Sequence, residues 1–328
     1  MSKQPTRYTE MADPQQRPRF TGIPTFFRAP AADDVGEVDI GVVGVPFDGG
    51  VTNRPGTRHG PRAVRDQSSL TRRINTATGI APFDRLRVRD LGDCWIEQPY
   101  ELEGALGEIE SFFRQIVQAG VTPLAVGGDH SMSLPILRAV AAREGGPVGM
   151  VHIDAHCDTG NDYAGSRYHH GAPFRRAVEE GLLDPARVIQ IGIRGHSNVP
   201  GGLWGFSVES GMRVLPMDEL HDRGWRWAVE EARRVAGNGP TYVSFDIDSL
   251  DPAFAPGTGT PEAGGLSTIE ALRIVRSLTG LNAVGADLVE VSPPFDVGGL
   301  TAFHGAAILF ELLCVLADAR LERETGPG

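Results

Sequence analysis

The segment Val148-Gly149-Met150-Val151-His152-Ile153, running into Asp154-Ala155-His156-Cys157-Asp158, decides the fold. Its first half is a short, mostly apolar run bounded by polar residues, which reads as a buried strand. Similar runs occupy residues 38–45, 86–91, 122–126, 188–193, 241–245 and 282–289. Between them, apolar residues recur at helical spacing. Residues 102–119 carry Leu102, Leu106, Ile109, Phe113, Ile116 and Val117, and residues 134–142, 225–235, 268–278 and 306–316 are comparable. Strand alternating with helix calls for parallel strands joined by crossover helices, hence a sheet covered on both faces. Chemistry is then expected just beyond the C-terminal ends of the strands.

Composition fits one large α/β domain. The chain has 328 residues, 41% of them hydrophobic, and a formal net charge of -11, which argues against a disordered chain and against one built to coat nucleic acid. The 42 Gly and 24 Pro imply many tight loops. Cys94, Cys157 and Cys314 lie far apart and form no disulfide framework, which points to a reducing compartment. Residues 1–20 carry Lys3, Arg7, Glu10, Asp13, Arg17 and Arg19 without an apolar core, so no secretory leader is expected. The longest apolar stretch, residues 306–317, is broken by Glu311 and reads as too short to span a bilayer. A cytoplasmic protein with no membrane partner is expected. Residues 1–35, rich in Pro, read as an extended arm that wraps the body or a neighbouring subunit. Residues 36–320 read as a single catalytic domain and residues 321–328 as a tail.

Three strand ends are dense with metal-binding groups: Gly127-Gly128-Asp129-His130-Ser131, the 154–158 segment above, and Asp246-Ile247-Asp248-Ser249-Leu250-Asp251-Pro252. If the chain stays extended, Asp154, His156 and Asp158 share one face, as do Asp246 and Asp248. A lone Asp at a strand end is ordinarily a cap, and Asp129 is read that way. Several carboxylates packed together are costly without a cation. Four aspartates supply four negative charges, which two divalent ions would cancel, with His130 and His156 as neutral ligands. An oxygen-rich set with a minority of His suits Mn, with Ni or Co as alternatives. Such a pair lowers the pKa of a bound water and makes hydroxide near neutral pH. By alternation Cys157 turns away and reads as a packed small residue.

These three motifs, in this order, resemble the ureohydrolase family of arginases, agmatinases and guanidino-acid hydrolases, over residues 18–317. The resemblance implies a three-layer α/β/α sandwich with a mostly parallel central sheet, assembled as a homo-oligomer, trimer or hexamer, with a hetero-oligomer as the alternative. It implies two divalent ions on His130, Asp154, His156, Asp158, Asp246 and Asp248. It also implies hydrolysis of a guanidino group to urea and an amine. His170, in Tyr168-His169-His170-Gly171, matches the family's proton-shuttling His. Glu290, in Val289-Glu290-Val291-Ser292-Pro293, matches its guanidinium-binding acid. Asp158 is counted among both the catalytic and the metal residues.

The small-molecule guanidino substrate is expected to be agmatine. Residues 54–61 and 257–262 resemble the agmatinase branch, and the loop after Asp158 lacks the arginase pattern. Guanidinobutyrate, guanidinopropionate, guanidine and metformin are the alternatives. The far end of the substrate is expected to meet residues 159–169 and the surroundings of Asn53 and Asn198, with Arg167 offered to a carboxylate tail. His169 reads as a surface residue and Glu262 as a loop acid. One rival is a non-catalytic subunit, whose mark would be a lost ligand, and none is lost. Another is a related one-zinc deacetylase, which metal stoichiometry separates.

Overall fold

A computed structural model describes residues 11, 13–32, 34–197 and 204–325. Asn198, the first ten residues of the arm and the last three of the tail lie outside the described residues. Eight strands form one sheet: β1 Ile40–Val45, β2 Val88–Asp93, β3 Thr122–Gly127, β4 Val148–Ile153, β5 Leu183–Ile193, β6 Arg213–Pro216, β7 Thr241–Asp246 and β8 Ala283–Val289. Their order is β2-β1-β3-β8-β7-β4-β5-β6, and every pairing is parallel.

Both faces of the sheet are mostly apolar because both are covered. Along β4, Val151 and Ile153 enter one core and Val148 and Met150 the other. The first core is closed by helices Gly60–Gln67, Trp225–Ala236, Thr268–Arg276 and Leu300–Thr325. The second is closed by Leu102–Gln118, Ser133–Glu144 and Pro173–Glu179. The result is the three-layer sandwich expected.

Two boundaries differ from expectation. The arm joins the body earlier than residue 35: Phe26 and Phe27 sit in a short 3-10 turn, fully buried, with Phe27 edge-on to Phe83 and Phe310. Two adjacent large apolar side chains outweigh the surrounding prolines. The tail does not begin at 321, because helix Leu300–Thr325 runs through that boundary. That helix is long and apolar enough to cross a membrane by length and composition, whereas the apolar run alone looked too short. Here it is a core helix, with Leu309, Leu312, Leu313 and Leu316 buried against the sheet.

Candidate metal centre

The four central strands, β3, β8, β7 and β4, end side by side; β3, β7 and β4 each deliver part of one cluster, and β8 delivers the residue beside it. β3 turns sharply at Gly128, where φ is +36° and a Cβ would stand 2.4 Å from the Phe47 carbonyl oxygen. Glycine alone fits that approach. Asp129 then accepts from the Ser131 N–H at 2.9 Å and the Gly50 N–H at 2.7 Å, the capping role expected of it. Its carboxyl is pushed up to about 6 by burial and by nearby Glu290. The turn His130–Met132 that it caps presents His130 to the cluster.

β4 delivers Asp154, His156 and Asp158, and β7 delivers Asp246 and Asp248. They do not converge by simple strand alternation. β4 stops at Ile153, and Asp158 adopts φ +52°, the left-handed region, which a non-glycine residue takes at a cost. Asp246 caps the 3-10 turn Ile247–Ser249 by accepting the Asp248 N–H at 2.8 Å, which folds the two carboxyls toward each other. Turns, not strand alternation, bring these side chains together.

The six residues meet. His130 Nδ1 lies 2.8 Å from Asp158 Oδ2 and 3.3 Å from both Asp154 Oδ2 and Asp246 Oδ2. It is buried and makes no hydrogen bond of proper angle. His156 Nδ1 lies 3.2 Å from Asp248 Oδ2 and 3.5 Å from Asp154 Oδ1. Asp154 therefore faces both imidazoles. Two triads bring their ligand atoms within 4.8 Å of one another, His130/His152/Asp154 and Asp154/His156/Asp248.

Electrostatics shows what the cluster lacks. Asp246 is held well above the usual carboxylate range by burial and by Asp248 and Asp154. Burial alone would lower His130 and His156, yet the surrounding aspartates drive both well above an ordinary imidazole. Buried like charges demand positive charge between them. A divalent cation supplies it at the same nitrogens without a proton, and the unpartnered Nδ1 of His130 is the atom such an ion would take. The donor set fits two ions.

Beside the cluster, Glu290 at the end of β8 has φ +66° and is 1% exposed. Its Oε1 accepts the His130 backbone N–H and faces His170 Nδ1, both at 2.9 Å. Its Oε2 is buried with no partner. His170 Nε2 lies 2.7 Å from Thr52 Oγ1 and accepts the Thr52 N–H at 3.1 Å. Burial would lower His170, but Glu290 raises it to about 9.

Other expected residues lie at the rim. Arg167 is exposed and pairs at 2.8 Å with Glu179, a carboxylate it shares with Arg175 and Arg176. His169 accepts the Gly171 N–H, and burial lowers its pKa. Asn53 donates to the Gly259 carbonyl, and Glu262 stands 4.0 Å from His156 Nε2. Arg58 is tied to Asp48, and Arg54 lies over the Phe295 ring. Cys157 packs with Ile193 and Val214, its thiol pushed up to about 12 by burial. Sequence reasoning missed Thr52 and Arg194. Arg194 is buried and donates to the carbonyls of Asp248 at 2.7 Å and Glu262 at 2.8 Å, clamping two loops beside the cluster. Its only signal was a charged residue at the end of an apolar strand.

The arginase family model matches residues 38–314. A guanidinopropionase of Pseudomonas aeruginosa is 56% identical over 94% of this chain and 96% of its own length. A mitochondrial agmatinase of Gallus gallus is 49% identical, covering 92% of this chain and 88% of its own. The solved structure of proclavaminate amidinohydrolase from Streptomyces clavuligerus superposes with a TM-score of 0.88 at 42% identity, over 92% of this chain and 99% of that one. The chain belongs to the arginase family, on the branch that holds guanidino-acid hydrolases and agmatinases.

Proposed function

We propose that the chain is a two-metal hydrolase that releases urea from a short guanidino acid. The observation that carries it is the buried, unpartnered Oε2 of Glu290 beside a cluster of carboxylates and imidazoles in which Asp246 is held well above the usual carboxylate range. A buried carboxylate oxygen with nothing bound to it calls for a charged donor, and a planar guanidinium supplies N–H groups of that geometry. His130, Asp154, Asp158 and Asp246 would hold one ion, and His156, Asp154 and Asp248 the other. Bound ions would supply an activated water near neutral pH, and Mn suits this donor set.

The chain's own groups do the rest. Glu290 orients the guanidinium through Oε2, while its Oε1 is held by the His130 backbone and His170. Glu290 raises His170 above an ordinary imidazole, which suits the ring to take up a proton and pass it to the leaving amine. Thr52 fixes the far side of that ring.

The substrate reading moves from agmatine to a guanidino acid because the relative at 56% identity is named guanidinopropionase. Agmatine stays as a second reading, supported by the relative at 49%. Urea release should be screened with Mn-, Ni- or Co-loaded protein against guanidinopropionate, guanidinobutyrate, agmatine, arginine, guanidine and metformin. The expected result is the highest kcat/KM on a guanidino acid, lost in Glu290→Gln. An agmatine preference would reverse the substrate assignment, and silence on every compound would end the catalytic reading.

A further inference from the structure

One layer beneath the cluster, a row of buried polar side chains crosses four adjacent strands of the sheet. Gln190 on β5 pairs in register with His152 on β4, His152 with Ser244 on β7, and Ser244 with Asp287 on β8. All four are fully buried. Neighbours in register point to the same face, and His152 lies two residues before Asp154, so the row stands directly behind the aspartates.

The hydrogen bonds of the row have only one consistent direction. Gln190 Nε2 donates to the Cys157 carbonyl at 2.6 Å, which fixes the orientation of the amide. The same NH2 group lies 3.1 Å from His152 Nδ1, so that nitrogen must accept. The proton of His152 therefore sits on Nε2 and is donated to Asp154 Oδ2 at 2.7 Å. At the other end Asp287 accepts from Ser133 Oγ at 2.6 Å, Tyr242 OH at 2.8 Å and Ser244 Oγ at 2.6 Å. With its proton committed to Asp287, Ser244 Oγ can only accept from His130 Nε2, 2.8 Å away. That leaves His130 Nδ1 as the ring nitrogen facing the cluster, the one whose lone pair a cation would take in place of a proton.

We propose that Gln190, His152, Ser244 and Asp287 form a positioning row that fixes the proton on each of two imidazoles. By doing so it presents the His130 Nδ1 lone pair and a hydrogen-bonded Asp154 to the metal ions. His152 is not a ligand, although it lies within ligand distance of His130 and Asp154: both of its nitrogens are engaged. The two ends of the row act through different ligands. Ser244 and Asp287 act through His130 and serve one ion; Gln190 and His152 act through Asp154, which both ions share. The inference rests on reading the six residues as a two-ion site.

The test is metal binding by the metal-free chain, with Mn(II) followed by electron paramagnetic resonance under chelator competition, alongside melting of the metal-free protein. His152→Phe keeps a ring of similar shape but has no donor, and His152→Gln restores an N–H. The expected result is two ions per wild-type chain and both ions weakened about 10- to 100-fold in His152→Phe, with most of the loss recovered in His152→Gln. In Ser244→Ala only one ion should weaken. If His152→Phe lowers the melting temperature yet binds both ions as wild type does, the row is structural and the proposal fails. Loss of an ion in His152→Phe and His152→Gln alike would make His152 a ligand and also overturn it. Wild-type protein that takes up no ion would remove the two-ion reading itself.

Discussion

His170 and Asp246 test the division of labour in the site, because both are buried and titratable yet stand in different relations to the acidic cluster. Asp246 lies 3.3 Å from His130 Nδ1, inside the cluster. His170 bonds Glu290 and Thr52 and touches the cluster only through them. Asp246→Ala is expected to abolish metal occupancy together with turnover. His170→Ala should keep two ions per chain and lose about 100- to 10,000-fold in kcat, the range for a general acid. Elemental analysis beside urea release reads both variants, and metal loss in His170→Ala would show the assignment to be wrong. At this scale the sequence exposes some residues more than others. Asp154, His156, Asp158, Asp246 and Asp248 announce themselves by their spacing at strand ends. His170 and Glu290 needed a family resemblance, since a His in a loop and a single Glu carry no pattern. His152 had a signal that went unread: it lies two residues before Asp154 and so shares its face. Gln190 and Asp287 had none, because register joins residues 38 and 43 positions apart.

At the level of elements, long strands and helices are legible because apolar periodicity is imposed by burial. Thr122–Gly127, Val148–Ile153 and Leu102–Gln118 fall within a residue or two of their expected bounds. The strand Arg213–Pro216 was missed. It is four residues long, ends in Pro and lies at the sheet's edge, where one partner suffices and a missing N–H is tolerated. The arm shows the opposite failure, in which a polar, Pro-rich context concealed two core aromatics. Phe27→Ala should therefore destabilise the chain by about 3–5 kcal/mol, the usual range for a buried Phe, read as a shift in the urea midpoint. A loss below about 1 kcal/mol would place the turn outside the core. Phe20 and Ile23, further out on the arm, are 91% and 92% exposed in the single chain. They are the arm residues available to a neighbouring subunit in the expected trimer or hexamer. A monomer by light scattering would leave them without that role.

For the whole molecule, the acidic cluster links metal binding, pH and stability. Without ions, the four aspartates, three of them buried, are compensated chiefly by protons on His130 and His156, which the aspartates raise well above an ordinary imidazole. His170 adds to this, raised from 6.5 to about 9. A group whose pKa is higher in the folded state stabilises the fold fully below its unfolded value and loses that contribution as pH rises through its folded value. The metal-free protein should thus lose stability between about pH 6.5 and pH 9, the window given by His170. Ions act in the opposite sense. They need unprotonated His130 and His156, so rising pH removes the competing proton and strengthens their binding, and a ligand that binds only the folded state adds stability in proportion to the logarithm of its saturation. The gap in melting temperature between Mn-loaded and chelator-treated protein should therefore widen from pH 6.5 to pH 9 in calorimetric scans at fixed free Mn. His170→Asn should flatten the decline of the metal-free protein while leaving the sign of the gap unchanged. A gap that stays constant or narrows over that window would mean that protons and metal ions do not compete for His130 and His156, and the cluster would then owe its charge balance to something other than cations.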